Sequence, residues 1–220
     1  MARPWQLWLS RRPLRRTGVP WQQAGSLLSA HGAALFEFLR DNDGRWVVRE
    51  THYINNEIVR RGESGPPLHI HWLQNEYFQV EQGVLGLVRN EQVIAATKDD
   101  GVIEIPAGTR HRFWAHAQTA DKNEDLVFRV WAEPQYPGTF DENFLRNFVG
   151  YQRDCQQAGL RPSVCQLILF SYHSATLGTP PFWMPLWVLK MVHYVLAYWV
   201  AERLLGYKAE YPEYTNPVAR

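Results

Sequence analysis

The sequence predicts a mainly β protein, an antiparallel β-barrel of the jelly-roll type followed by a C-terminal helical appendage. Residues 34–136 contain many short segments rich in β-branched and aromatic residues, separated by turn signals. No helix-length apolar period interrupts these segments, which disfavours strands alternating with helices around a parallel sheet. After Pro137 the pattern changes to longer apolar stretches. We therefore expect three regions: a basic N-terminal arm at 1–33, the barrel at 34–136 and a helical extension at 137–220.

The overall composition narrows the function classes. The chain has 220 residues, with 23 Lys and Arg against 22 Asp and Glu, so its net charge is +1. This balance gives no support for a nucleic-acid partner, and neither flanking region shows the turn and basic recognition helix of a DNA-binding pair. Ten tryptophans favour buried aromatic surface, an apolar ligand pocket or a membrane interface. The two cysteines lack metal-site spacing and indicate free thiols in a reducing, cytoplasmic setting.

The N-terminal arm is basic. Five arginines and no acidic residue fall within the first sixteen positions, and the stretch lacks the apolar core of a secretory signal. We interpret it as an arm lying over the surface, with an organelle-targeting segment as the alternative. The peptide WQQAGSLLSAHG, residues 21–32, predicts one short helix within this region.

The barrel is predicted from strand-like peptides between turns. Turn signals recur at DNDG, GESGPP, EQG, KDDG and PAG. Many short strands at this spacing are typical of an antiparallel sandwich or barrel. The strand-like peptides, in chain order, are RWVVRETHYI, EYFQV, VLGLV, QVIAAT, VIEI, HRFWAH and LVFRVWA.

A group of polar residues interrupts the strand pattern. Alternate side chains of an extended chain share a face, so His69 and His71 project the same way. Glu76 follows across a short loop, from which its carboxylate can turn back toward the same centre. A tight Pro–x–Gly turn at 106–108 would direct His111 into the barrel. Three imidazoles and one carboxylate are able to hold a transition metal and leave coordination positions open.

These residues resemble the two conserved motifs of the cupin superfamily. The first stretch departs from the usual spacing because Gly65 sits two residues closer to the histidines, and in the second Gly101 sits one residue closer to the proline. The asparagine that ends the second motif is replaced by Ala115. The matching positions, in order, are Gly65, His69, His71, Glu76, Gly83, Gly101, Pro106, Gly108 and His111.

The resemblance implies a small cupin-type barrel, open at one end, that binds one first-row divalent metal. His69, His71, Glu76 and His111 would be the ligands, and this set suits iron, manganese, nickel, copper, cobalt and zinc. Glu76 would also be able to detach and act as a base. The aromatic content and helical appendage are similar to those of small single-cupin proteins of fungal specialised metabolism.

The wall of the predicted pocket is apolar. Residues that share the inward face with Glu76 and His111 are expected to line it, which suits a carbon-rich substrate better than a sugar phosphate. The alternative is that these side chains only fill a small barrel. Arg129 is a candidate for binding a substrate carboxylate or enolate, with an outward surface position as the alternative. The predicted wall residues are Phe78, Val80, Phe113 and Ala115.

The C-terminal region predicts helices. Residues 140–159 form an amphipathic pattern with Asp141 as the N-cap and Gly159 as the stop, and a second apolar segment, SVCQLILFSYH, follows. The longest apolar run covers 182–201. Lys190 near its middle would cost about 2.5–3.5 kcal/mol inside a membrane, so we favour packing against the barrel or across a homodimer interface. Docking of 182–206 on a membrane surface ranks second and a true span third.

The sequence therefore predicts a metal-dependent cupin enzyme that acts on a small, largely apolar organic substrate. Oxygenation, isomerisation, decarboxylation and cyclisation all fit an open metal site. The main alternative is a non-catalytic cupin module that binds a small ligand, with membrane association as an added feature. A membrane-associated structural protein that keeps the barrel as a scaffold is the third interpretation.

Overall fold

Two antiparallel sheets face each other in the computed structural model, which describes residues 3–17 and 25–216. Residues from both sheets meet in one apolar cluster, which makes the space between the sheets the main core. The six-stranded sheet has the spatial order β1 (Ser26–Leu28), β2 (Ala34–Arg40), β3 (Trp46–His52), β10 (Leu126–Glu133), β5 (Asn75–Gln82) and β8 (Val102–Ile105). The five-stranded sheet has the order β11 (Thr176–Gly178), β4 (His69–His71), β9 (His111–Ala115), β6 (Leu85–Arg89) and β7 (Gln92–Ala96). The predicted cupin-type antiparallel fold is confirmed.

Strand β10 shows how the residue alternation builds the core. Phe128 and Val130 lie two positions apart and both are fully buried between the sheets. Phe128 stands opposite Val80 of β5, and Val130 stands opposite Phe78. These cross-strand pairs of apolar side chains hold β10 and β5 in one register, because a slip by one residue would expose all four of them.

The helices lie outside the sheets and concentrate in the C-terminal region. Between β1 and β10 the described residues form only two α-helices, each a single turn, α2 (Glu57–Arg60) and α3 (Ala117–Asp121), beside short 3₁₀ turns. The bounds are α1 (Pro4–Leu9), α2 (Glu57–Arg60), α3 (Ala117–Asp121), α4 (Glu142–Gln157), α5 (Val164–His173) and α6 (Leu186–Tyr194), which continues into a π-helical segment at Val195–Leu204.

Helix α4 begins and ends where the sequence predicts. The Asp141 side chain caps the N-terminus by accepting a hydrogen bond of 2.7 Å from the backbone N–H of Phe144. Gly159 follows the C-terminus with φ +64°, a left-handed conformation that glycine adopts without steric cost. Both predicted helix boundaries are confirmed.

The cap of α4 gives a prediction about stability. Burial raises the pKa of Asp141 to about 6, against the lowering effect of its hydrogen bonds with the helix backbone. The folded state therefore keeps a proton that the unfolded chain has lost, so stability falls as pH rises from the ordinary carboxyl pKa toward 6. Asp141→Asn keeps the cap acceptor without the charge. We expect it to raise the free energy of unfolding at neutral pH by about 1 to 2 kcal/mol in urea denaturation.

The same substitution is expected to have little effect below pH ~3, where the carboxyl group is protonated in both states. Asp121→Asn, at an exposed position, is the matched control and should leave the curve unchanged at both pH values. A loss of stability at neutral pH in Asp141→Asn would contradict the assigned burial effect.

The C-terminal region contributes a strand as well as helices. Strand β11 pairs antiparallel with β4 and places Thr176 opposite His71. The helical extension predicted from residue 137 onward therefore also completes the edge of the sheet that carries the histidines. The proposed division of the chain at residues 33 and 136 stays a prediction.

The long apolar run is buried on one side only. Leu189 and Ala197 pack against β11 and α5 respectively, whereas Trp187 is 68% exposed and Trp199 57% exposed. Packing against the rest of the chain thus accounts for one stripe of the run. No helix within residues 3–17 and 25–216 combines the length and apolar character that a membrane crossing requires. The expected homodimer stays a prediction.

The N-terminal region differs from the predicted helix at 21–32. Residues 21–24 lie outside the described residues, and the rest of the peptide forms strand β1 and a 3₁₀ turn, Ala30–Gly32. The helix prediction is wrong for this part because Leu27 is buried and pairs with Phe36 of β2, so long-range sheet pairing overrides local propensity. The preceding helix α1 lies against the C-terminal segment, where Gln6 donates a hydrogen bond to the carbonyl of Leu204.

Candidate metal centre

Four side chains that the sequence singles out meet between the sheets. His69 and His71 lie on β4, Glu76 on β5 and His111 on β9. One ligand atom from each residue lies within 4.8 Å of the others, and all four side chains are buried. The two hairpins thus bring together residues separated by up to about forty positions. The structure places all four predicted ligands at one point.

The strand geometry explains the convergence. His69 and His71 are both directed into the barrel because they are two residues apart on an extended strand. Strand β9 runs antiparallel beside β4 and sets His111 directly opposite His69. The His69 and His111 ring centroids are 4.2 Å apart, and those of His71 and His111 are 5.5 Å apart. Glu76 enters from the opposite sheet at the start of β5.

Hydrogen bonds from Nδ1 to backbone carbonyl groups set the tautomer of the His69 and His111 imidazoles. Nδ1 of His69 lies 2.9 Å from the carbonyl oxygen of Pro67, and Nδ1 of His111 lies 2.9 Å from that of Thr109. A carbonyl oxygen only accepts, so each Nδ1 carries the proton. In the neutral ring Nε2 then carries the lone pair that a metal ion binds, and in His111 the ion would displace the proton that Nε2 shares with Glu76.

A hydroxyl group sets the same tautomer in His71. Its Nδ1 lies 3.1 Å from Oγ1 of Thr176 on β11. The Thr176 hydroxyl can donate to the carbonyl of Ser174 at 3.3 Å, which leaves Oγ1 to accept from the imidazole. All three histidines therefore present Nε2 toward the centre, the arrangement that metal-binding histidines use.

The electrostatics of the cluster favour one anionic carboxylate among imidazoles. Burial alone would raise the pKa of Glu76, but the charges of His71 and His111 and the hydrogen bond with His111 lower it below its usual range. Burial and the neighbouring His111 and His71 lower the pKa of His69 well below its usual value. Burial acts to lower the pKa of His111 too, yet its 2.7 Å hydrogen bond with Glu76 raises it overall.

The donor set fits a first-row transition metal. Nε2 of His71 is buried and has no hydrogen-bond partner among the described residues, and its distance to Oε1 of Glu76 is 3.6 Å. An unpaired buried nitrogen costs free energy, and a metal ion at the shared centre would remove that cost. Three imidazole nitrogens and one carboxylate suit several divalent metals, so the ligand types do not select one.

The predicted wall residues lie in the core around this cluster. The Phe78 ring centroid is 5.1 Å from that of Phe113, and both side chains belong to the core between the sheets. Val80 and Ala115 are also buried in the same core. Their position is compatible both with lining a substrate space and with filling the barrel. That these four residues line a substrate pocket stays a prediction.

Arg129 lies on the opposite face of its strand from the one predicted. Its side chain is 46% exposed on the outer face of the sheet, where Nε lies 2.7 Å from Oε1 of Glu81. The prediction that Arg129 lines the pocket is wrong, because the alternation along β10 turns its neighbours Phe128 and Val130 inward and Arg129 outward.

Two residues near the centre were not singled out from the sequence. Thr176 holds His71, and the Phe140 ring centroid lies 5.1 Å from the His71 ring. Neither position carries a local signal, because both come from the region after the barrel strands. His52, noted only for its closeness to the first motif, is fully buried between Phe113 and Phe128.

Comparison with known proteins identifies relatives over almost the whole chain. The probable oxidoreductase virH of Hypocrea virens is 60% identical over 215 residues, which cover 97% of this chain and 95% of that protein. The oxidoreductase iacF of Pestalotiopsis fici is 50% identical over 210 residues, covering 94% of this chain and all of that protein. No family model matches the sequence.

Among solved structures, a cupin-superfamily sugar phosphate isomerase from Silicibacter pomeroyi is 17% identical, with a TM-score of 0.39. It covers 54% of this chain and 76% of that one. This chain has the two cupin motifs and two paired antiparallel sheets, and its motif residues converge at one point. It also has high sequence identity to the two fungal oxidoreductases. The chain therefore belongs to the cupin superfamily, in the family that contains the Hypocrea virens and Pestalotiopsis fici oxidoreductases.

Proposed function

We propose that this chain is a metal-dependent oxidoreductase that acts on a small, largely apolar organic molecule inside the barrel. The observation that carries the proposal is the convergence of His69, His71, Glu76 and His111, with three imidazole Nε2 atoms directed at one centre. The names of the relatives support oxidation over isomerisation, decarboxylation or cyclisation as the type of reaction.

The residues of the chain would hold the ion and keep water away. A bound first-row metal supplies Lewis-acid or one-electron redox chemistry at coordination positions that the protein leaves open. The carbonyls of Pro67 and Thr109 keep two imidazoles in the metal-binding tautomer, and Thr176 does the same for His71. Phe140 covers the His71 ring and excludes solvent from that side.

An unpaired donor supports an oxygen-bearing substrate. The indole Nε1 of Trp46 is buried and has no hydrogen-bond partner among the described residues. The Trp46 ring packs edge-on against Phe140, which in turn contacts His71, so the indole lies one ring away from the centre. A carbonyl or hydroxyl oxygen of the substrate would satisfy this N–H, while the surrounding rings contact the carbon skeleton.

Metal analysis tests the proposal. The full chain is purified without added metal and stripped of bound ions with a chelator. It is then reloaded under anaerobic conditions with one ion at a time: iron(II), manganese(II), cobalt(II), nickel(II), copper(II) or zinc(II). We expect one ion per chain, bound by wild type and by His173→Ala, which removes an exposed histidine far from the cluster in sequence. Nitric oxide, a probe of open positions, should change the electron paramagnetic resonance spectrum of the iron(II) form.

Two results would contradict the proposal. A folded protein that binds none of these ions at one-to-one stoichiometry would remove the metal centre. Stoichiometric zinc alone, with no affinity for any redox-active ion, would leave a metal site but exclude metal-based redox chemistry.

A further inference from the structure

A second polar cluster lies inside the barrel, apart from the four candidate ligands. Glu50 and His52 are on the inward face of β3, and both are almost completely buried. Nε2 of His52 lies 3.0 Å from Oε2 of Glu50, and Nδ1 lies 2.8 Å from Oγ of Ser64. The imidazole is thus bonded at both nitrogens, by a carboxyl group on one side and a hydroxyl group on the other.

The surroundings of this cluster are apolar. On β2, Ala34 and Phe36 stand opposite His52 and Glu50, and on β10 Leu126 and Phe128 do the same. Phe113 of β9 lies over the imidazole at a ring-centroid distance of 6.5 Å. Glu50 has no arginine or lysine partner among residues 3–17 and 25–216. A buried carboxyl group of this kind is costly to retain, so its position calls for a functional explanation.

The two ends of the cluster face different environments. The Ser64 end is half-buried, and its neighbours Glu63 and Gly65 line a surface cavity of about 520 Å³. At the other end, burial raises the pKa of Glu50, the hydrogen bond and charge of His52 lower it, and the negative charge of Glu76 raises it again. Glu76 is one of the four candidate ligands, so the carboxyl group of Glu50 is within electrostatic reach of that group.

We propose that Glu50, His52 and Ser64 form a proton relay between the surface and the barrel interior, which serves the reaction at the metal centre. The inference rests on the proposed function. The hydrogen bonds work in two directions without movement of heavy atoms, because hydroxyl, imidazole and carboxyl groups each act as donor or acceptor according to protonation.

The step conserves protons and transfers no electrons. In one concerted transfer a solvent proton reaches Oγ of Ser64 as the hydroxyl proton moves to Nδ1 of His52 and the Nε2 proton moves to Oε2 of Glu50, so no alkoxide forms. The imidazole is left as its other tautomer, and rotation of the ring between transfers resets the chain for the next proton. The net change is one proton carried from solvent to the Glu50 carboxylate. From there it is available to a substrate oxygen in the same interior, and the reverse sequence removes a proton.

The first test counts protons during metal binding. Cobalt(II) adds positive charge near Glu50 and should displace a proton from its carboxyl group. Calorimetric titration in buffers of different ionisation enthalpy, over a mildly acidic to neutral pH series, measures the protons released per cobalt. We expect Glu50→Gln to release fewer than wild type, by up to about one proton. The control Glu63→Gln, in the exposed loop beside Ser64, should match wild type.

The second test needs no metal. Nuclear magnetic resonance measures how fast the ring N–H of His52 exchanges with water. We expect Ser64→Ala to slow this exchange at least about tenfold, since it removes the link to the surface. The ring N–H of His193, which is bonded to the Leu189 carbonyl elsewhere in the fold, is the internal control. Ser64 is half-buried, so this variant remains informative if Glu50→Gln does not fold.

The outcomes separate the two proposals. Failure of wild type to bind cobalt contradicts the proposed function. Equal proton counts in wild type and Glu50→Gln with cobalt bound, or unchanged exchange at His52 in Ser64→Ala, contradict the relay and leave the metal centre intact.

Discussion

His71→Ala is expected to lower the affinity for a divalent metal by more than about a hundredfold. The imidazole supplies one of four donors, and its Nε2 is buried without a hydrogen-bond partner among the described residues. Glu76 cannot compensate for that loss, because its carboxylate is already one of the three remaining donors. Isothermal titration calorimetry with cobalt(II) or zinc(II) measures the change.

The barrel itself should survive this substitution. His71 lies on the three-residue strand β4, and its removal takes a polar group out of the core without breaking a backbone pair of the sheet. Circular dichroism of the metal-free variant should match that of wild type. His173→Ala, an exposed position, controls for the loss of a histidine. Unchanged metal affinity in a folded His71→Ala protein would refute the assignment of this residue.

The four candidate ligands could be predicted because their signals are local. The two-residue spacing of His69 and His71 needs only an extended backbone to put both imidazoles on one face. The tight turn before His111 is encoded by Pro106 and Gly108, and Gly108 adopts φ +81° in the structure. Such short-range features determine where a strand begins and which way its side chains point.

The residues that support the ligands could not be predicted in the same way. Thr176 meets His71 across 105 positions of sequence, and it does so through strand β11 at the edge of the sheet. Strand pairing over such a distance depends on the whole packing arrangement and leaves no periodic trace in three residues. The prediction for Arg129 was wrong for a different reason. A lone cation between apolar residues gives the same local sequence pattern whichever face of the strand it lies on.

The loop before β4 links stability to the metal centre. Gly65 lies against β9, and a methyl group at this position would be 1.7 Å from the carbonyl oxygen of Phe113 and 2.7 Å from its carbon. These are backbone atoms, so a side-chain rotation cannot relieve the overlap. The same loop carries Ser64, which bonds His52, and Pro67, whose carbonyl orients His69.

Gly65→Ala is therefore expected to lower the free energy of unfolding by about 3 kcal/mol or more, measured by urea denaturation of the metal-free protein. The loop must move away from β9, which also displaces the Pro67 carbonyl and should weaken cobalt(II) binding at least about tenfold. Gly25→Ala is the matched control, because its added methyl group meets no atom within 4 Å and its backbone is not left-handed. It should change stability by less than about 0.5 kcal/mol. If the two variants have equal free energies of unfolding, the loop can move away from β9 without loss of stability. The close packing of Gly65 on β9 would then have no part in positioning His69.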